Sequence, residues 1–573
     1  MDRIWLNSYR PGVPAEIDMN EYASINDVFA QSCRRFADRP AYRNLGTTIT
    51  YSELDRLSRD FGAYLQGLGL AKGSRVALMM PNLLQYPIAL FGLLRAGMIG
   101  VNVNPLYTAR ELEHQLKDSG ADAIVILENF AHVLEKVLSK TQVKHIVTTQ
   151  VGDIFAPPKR WIVNVAVKRV KKMVPKWHIA GATGFRSALN RGYRQKLDEA
   201  SPGHSDIALL QYTGGTTGAS KGAILTHGNL IANLLQARAW SKGILEEGCE
   251  IIVTALPLYH IFSFTLNCQL TMKLGGLSLL ITNPKDLPAF VKELRGSGFT
   301  AISGVNTLFN GLLNTPGFAQ VDFRRLKFAL GGGAAVHRVV AERWQSVTGR
   351  PMIEGYGLTE TSPFVTCNPL ELGYTGFIGL PLPSTDVCIL DDHDREMPPG
   401  SEGEICVRGP QVMAGYWQQP SETMSSFTPS GWLRTGDIGI MEERGFLRIT
   451  DRKKDMILVS GFNVYPNEIE NVIAGVPGVV ECGVIGVPDQ VTGEVVKAYV
   501  VTEDPNLSAK EIVAYCRQHL TNYKVPKQVE FRSELPKTPV GKILRRELRS
   551  LSLAAPASQP AQTGREACPT VRN

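Results

Sequence analysis

The chain has 573 residues, 44% hydrophobic and 20% charged, with 61 Lys and Arg against 54 Asp and Glu for a formal charge of +7. A composition this apolar excludes a mostly disordered chain, and the length implies roughly two to four domains. The most lipophilic stretch, Tyr86 to Val103, is broken by Arg95, so no transmembrane helix is expected.

The opening Met1-Asp2-Arg3-Ile4-Trp5-Leu6 has no charged n-region, apolar h-region or small-residue cleavage site, which predicts a cytoplasmic protein rather than a secreted one. The nine cysteines are scattered and never spaced Cys-x-x-Cys. Neither a disulfide framework nor a zinc site is expected from them.

From Arg75 the chain alternates short apolar or β-branched runs (75–80, 99–103, 123–127) with an apolar helical stretch ending at Arg95 and an amphipathic one from Thr108 to Ser119. That alternation predicts βαβ units and parallel sheet. Similar runs at 250–256 and 326–330 extend the α/β body past residue 330.

Residues 154–197 are electrostatically unlike the rest, with eleven Lys or Arg, including Lys168, Arg169, Lys171 and Lys172, and no acid. This segment alone exceeds the net charge of the whole chain. Trp161, Ile162, Val163, Val165, Val167, Val170, Met173, Val174 and Trp177 interleave with the cations, as in a surface helix that dips an apolar face among anionic headgroups, or simply in a solvated insertion. Nucleic acid is not expected as a partner, because no reading motif accompanies the charge.

The strongest local signal follows an apolar run at 207–211: Thr213, Gly214, Gly215, Thr216, Thr217, Gly218 and Lys221. Glycines free backbone N–H groups to converge on phosphate oxygens, hydroxyls add donors, and the lysine adds a mobile charge. It is not a Walker A loop, because Lys221 is followed by Gly222 rather than Ser or Thr.

After Gly400 the texture changes to short alternating pieces such as 403–409 and 445–450, which predict small antiparallel strands with tight turns. The charged cluster Asp451-Arg452-Lys453-Lys454 then precedes a compact block with its own strands and helix. We expect a body over 1–450, a hinge at 451–454, a small mobile α+β domain over 455–549, and a disordered Ala/Pro/Ser/Gln-rich tail over 550–573.

Taken together, these motifs resemble the adenylate-forming enzymes, which include acyl-CoA synthetases, luciferases and peptide-synthetase adenylation domains. Beyond the glycine-rich loop, Leu256-Pro257-Leu258-Tyr259-His260, Gly331-Gly332-Gly333-Ala334, Gly355-Tyr356-Gly357-Leu358-Thr359-Glu360, Thr435-Gly436-Asp437, Asp451-Arg452-Lys453-Lys454 and Pro539-Val540-Gly541-Lys542 occur in the family's order. The resemblance runs from about Tyr22 to Arg549. It implies an α/β fold with a large multi-subdomain body of parallel sheets, a small β-rich part and a mobile C-terminal domain.

The resemblance also implies roles. ATP would be held by the glycine-rich loop, by Gly333 and Ala334, by Tyr356 and Gly357 at adenine, by the Thr359 hydroxyl at the α-phosphate, and by Asp437 and Arg452 at ribose. Glu360 would be the carboxylate for Mg²⁺, and His260 would lie at the carboxylate end of an acyl pocket. Lys542 would bridge the substrate carboxylate and the nucleotide, offsetting charge at the α-phosphate. The cluster with Lys453 and Lys454 would be the hinge that brings Ser460, Gly461 and Phe462 to the site for CoA.

The segments 430–437 and 445–454 look like the extended signature of fatty acyl-CoA synthetases, although Ser430 stands where Asp or Asn is usual. A long-chain fatty acid is therefore the expected substrate, activated with ATP and passed to CoA. Medium-chain or aryl acids, transfer to a carrier protein, or a non-catalytic fatty-acid carrier are the alternatives. A lipid substrate also favours peripheral contact of 154–197 with an anionic membrane.

Overall fold

The computed structural model describes residues 2–213, 220–489, 491–538 and 541–554. The chain divides into two compact units, one formed by residues 1–454 with 537–542 and the other by 455–536 with the chain from 543 onward.

Among the described residues, the large unit contains sheets of seven, nine and four strands. The seven-stranded sheet runs Thr183–Gly184, His145–Thr149, Ala123–Leu127, Arg75–Met79, Ile99–Asn102, Ile207–Thr213 and Lys221–Thr226. All its neighbours are parallel except the last pair, an antiparallel hairpin. Every residue of Ala123–Leu127 and Ile99–Asn102 is buried, which is why these strands read as continuous apolar runs instead of alternating ones.

The apolar run 86–103 resolves into a wholly buried helix, Gln85–Arg95, followed by a core strand. Arg95 ends the helix with its guanidinium bound to Asp55 at 2.9 Å, Ser58 and Glu199, so its buried charge is compensated. No described helix is long and apolar enough to cross a membrane. The amphipathic stretch forms the helix Ala109–Ser119, opened by a Thr108–Glu111 capping box and ended by Gly120 at φ +60°.

The nine-stranded sheet has a parallel core of Met352–Gly357, Phe328–Gly331, Ala301–Gly304, Ile251–Thr254, Leu277–Leu280 and Pro40–Asn44. Antiparallel strands border it at both edges. The carboxyl ends of two neighbouring core strands deliver Gly331–Gly333 and Tyr356–Gly357, the place where open α/β sheets bind ligands. The third sheet is antiparallel, in the order Asp386–Leu390, Glu402–Arg408, Leu433–Met441, Leu447–Arg452, as the alternating texture after Gly400 predicts.

In the small unit, five described strands form one sheet: the hairpins Ile457–Val459/Phe462–Val464 and Val479–Asp489/Gly493–Thr502, with Gln528–Phe531 parallel to the last. Helices Pro466–Ile473 and Ala509–His519 bury Ile469, Ile473, Ile512 and Cys516 in the core with Val484 and Val496. The helix Arg545–Ala554 runs past residue 550, where the sequence predicts a disordered tail, because Leu548 is fully buried against Tyr499 and Leu535. Residues 555–573 of that tail lie outside the described residues.

Candidate functional site

The strands that flank the glycine-rich loop pair with each other. Strands Ile207–Thr213 and Lys221–Thr226 pair with Thr213 opposite Lys221; Gly214, Gly215, Thr216, Thr217 and Gly218 lie outside the described residues. The helix Ala109–Ser119 grips both stems. Asp118 Oδ2 accepts from the Tyr212 hydroxyl at 2.5 Å, and one turn earlier the His114 ring Nε2 meets the Ser220 carbonyl at 2.9 Å. The Trp417 backbone N–H donates to the Gly222 carbonyl at 2.8 Å and its indole N–H to the Asp118 carbonyl at 3.1 Å.

Thr359 and Glu360 occupy the short turn Thr359–Thr361 that follows Met352–Gly357. Gly357 is required there, since a Cβ would sit 1.8 Å from the Pro363 carbonyl oxygen. The Glu360 carboxylate accepts from the Tyr416 hydroxyl at 2.6 Å, and its backbone carbonyl accepts from Met413 N–H at 2.7 Å. Burial, then the Glu360 charge, push the Tyr416 phenol well up, so it is a permanent donor to that carboxylate. The Lys221 ammonium lies 5.5 Å from the centre of the same Tyr416 ring and pairs with Glu422. Tyr416 thus sits between Lys221 and Glu360.

A second polar array lies where the nine-stranded and four-stranded sheets meet. Asp437 and Arg452 are cross-strand partners. The Asp437 carboxylate takes the Tyr356 hydroxyl at 2.7 Å on one oxygen and the Arg452 guanidinium at 3.1 Å on the other. Both Tyr356 and Asp437 are buried. The wall formed by Gly331–Gly333 depends on close packing at Gly332, where a Cβ would meet the Phe262 ring at 3.0 Å and the Gly355 carbonyl at 3.1 Å. Gly333 turns the exposed chain toward Ala334 with φ +76°.

His260 opens the helical stretch from Ile261, its Nδ1 accepting from Phe262 N–H at 3.4 Å. Dense enclosure, then the positive charge of Lys542, push its pKa down to about 4, so the ring is neutral at physiological pH. Lys542 belongs to the segment 537–542 that groups with the large unit. Thr307 Oγ1 donates to the Gly541 carbonyl at 3.1 Å, and Thr538 closes a loop on Lys542 through two hydrogen bonds. Pro539 and Val540 lie outside the described residues.

Of the expected hinge, Lys453 is tied to Asp392 at 2.8 Å and to the Gly436 carbonyl at 3.0 Å, and Lys454 is the last residue of the large unit before the chain enters the small one. Thr435, Gly436, Arg452, Lys453 and Lys454 line a cleft of about 300 Å³. Ser460 and Gly461 form a two-residue hairpin turn of the small unit with φ +51° and +83°, values that match a type I′ turn. Phe462 is exposed and stacks on Tyr523 at 4.8 Å between ring centres.

Tyr416, Glu422, His114 and Asp118 carry no recognisable motif and were not expected at this site. Only the aromatic pair Tyr416-Trp417 just before Gln418-Gln419-Pro420 could have drawn attention to this region.

Residues 29–417 match the sequence profile of the AMP-binding enzyme family, and residues 468–542 match the profile of the AMP-binding enzyme C-terminal domain. The chain belongs to the AMP-binding enzyme family. Within that family it is 59% identical to a long-chain-fatty-acid–CoA ligase of Escherichia coli O6:H1, over 96% of this chain and 98% of that protein. It is 52% identical to a protein of the same name from Haemophilus influenzae, over 97% and 99%. The fold matches the crystal structure of an anthranilate CoA ligase in complex with anthranoyl-AMP with a TM-score of 0.83, at 23% identity, over 94% of this chain and all of the other.

Proposed function

We propose that this AMP-binding family member is an AMP-forming long-chain fatty acid:CoA ligase. The carrying observation is 59% identity, across nearly the whole chain, to a protein of that activity. The polar arrays around Tyr356 and Tyr416 supply groups suited to hold ATP.

In the first half-reaction a carboxylate oxygen attacks the α-phosphorus and pyrophosphate leaves; in the second the CoA thiolate attacks the acyl carbonyl and AMP leaves. Asp437, held by Tyr356 and Arg452, would accept from ribose hydroxyls. Thr359 would donate to the α-phosphate, and Lys221 with the glycine-rich loop would hold the outer phosphates. Lys542 would align two mutually repelling anions and stabilise charge growing at the α-phosphate, an electrostatic effect with no proton transfer. Neutral His260 would border the acid without adding charge.

Glu360 fits Mg²⁺. A single carboxylate suits an ion that keeps its waters and shares phosphate oxygens. The ion would supply neutralisation of phosphate charge when bound. Rotation about Lys454, exchanging Lys542 for the Ser460–Phe462 turn, would separate the two half-reactions.

The deciding experiment is AMP release with acids of graded chain length, with and without CoA. Long-chain acids with CoA should give the highest kcat/KM; a preference for aryl or short acids would contradict the assignment.

The surface of residues 154–197 supports a peripheral membrane contact on the cytoplasmic face. The helix Lys159–Val165 continues as a π-helical turn over Ala166–Val170, leaving Trp161, Ile162, Val165, Val170 and Met173 exposed beside the cations. Lys168 is spent on docking, paired with the buried Glu128 at 3.3 Å. Charge reversal at Arg169, Lys171 and Lys172 should therefore abolish co-sedimentation with anionic vesicles without loosening the segment; unchanged binding would rule the contact out.

A further inference from the structure

Lys221 stands at the end of the glycine-rich loop, and its ammonium is paired with the carboxylate of Glu422. Glu422 reaches it from the helix Pro420–Ser426, which is fixed by local bonds. Tyr416 N–H donates to Thr423 Oγ1 at 2.8 Å, and the Thr423 hydroxyl donates to the Gln419 carbonyl at 2.9 Å. The same segment approaches the strand of Lys221 through backbone contacts, with Ala223 bridged to Tyr416 and Ile224 N–H donating to the Gly415 carbonyl at 2.9 Å. The carboxylate is thus delivered to the ammonium by a braced turn rather than by a free surface loop.

On the ATP reading above, a phosphate oxygen would compete with the Glu422 carboxylate for the Lys221 ammonium. We propose that Glu422 is a built-in competitor for phosphate: it holds the Lys221 ammonium, gives it up when ATP binds, and recaptures it as pyrophosphate leaves. Its two effects on a polyanion have the same sign, because it competes for the cation and adds negative charge beside the phosphates. Glu422 therefore weakens binding of ATP and of pyrophosphate alike and favours product release. Both partners are partly solvent-accessible, at 30% and 46% of side-chain surface, which limits the effect to roughly two- to fivefold.

The test is the ATP dissociation constant of the full chain, measured calorimetrically with Mg²⁺ and without acid, for the unsubstituted protein, Glu422→Gln, Lys221→Met and the double variant. Glu422→Gln should bind ATP two- to fivefold more tightly, inhibition by pyrophosphate should strengthen by a similar factor, and the gain should shrink in the Lys221→Met background, where only the direct repulsion remains. Equal or weaker binding by Glu422→Gln, or an undiminished gain without Lys221, overturns the proposal while leaving the ligase assignment standing. Failure of the unsubstituted protein to bind ATP overturns both.

Discussion

The Tyr356 hydroxyl donates to Asp437 Oδ2 at 2.7 Å, tying the strand end that faces adenine in the proposed complex to the carboxylate that faces ribose. The bond joins residues of two different sheets, so the nucleotide would meet a wall already assembled. Tyr356→Phe removes this donor and leaves the ring. A hydrogen bond to a charged group contributes about 1.5–3 kcal/mol, and part of this will be recovered by water. The expected outcome is a KM for ATP raised roughly five- to thirtyfold with kcat nearly kept, measured in acid-dependent pyrophosphate exchange.

Tyr416→Phe should act on the first half-reaction alone. Without the hydroxyl at 2.6 Å the Glu360 carboxylate loses its orienting donor, so adenylate formation should fall about tenfold. Thioester formation from supplied acyl-adenylate and CoA should be unchanged. Equal losses in both steps would mean that Tyr416 serves only packing.

The pH dependence of stability has a worked sign. His227 is buried, accepts from Ile25 N–H on Nδ1 at 3.2 Å, and is pushed down to about 4 chiefly by burial. Its folded pKa is below the ordinary 6.5, so the unfolded chain binds more protons between those values and stability rises with pH there. The contribution is complete above about pH 6.5 and is lost progressively as pH falls toward 4. Thermal unfolding at stepped pH should show Tm falling across this window, and His227→Gln should flatten the slope. A Tm independent of pH from 7 to 4 would contradict the account.

Gly357→Ala places a methyl group 1.8 Å from the Pro363 carbonyl oxygen. Backbone must move on both sides of the turn that carries Thr359 and Glu360, and a loss above about 3 kcal/mol is expected. The denaturation midpoint in urea checks this. A midpoint within error of the unsubstituted protein would show that the turn can relax.

Local order was legible where a residue's role is set by its neighbours in sequence. The runs at 75–80 and 123–127 give the parallel strands Arg75–Met79 and Ala123–Leu127, and the amphipathic stretch from Thr108 to Ser119 becomes the helix Ala109–Ser119. Arg95 correctly separated a core helix from a membrane span. Tyr416 and Glu422 were not legible, because their partners Glu360 and Lys221 lie 56 and 201 residues away and only tertiary packing joins them. For the same reason, nothing in the sequence indicates that Lys168 is committed to Glu128 rather than to solvent.

The most direct test of the mechanism is acid-dependent exchange of pyrophosphate into ATP by Lys542→Ala. The charge of Lys542 is felt at His260, and its removal should cost about two or more orders of magnitude in exchange rate while thioester formation from supplied acyl-adenylate persists. Exchange at the unsubstituted rate would contradict electrostatic activation of the acid by this lysine.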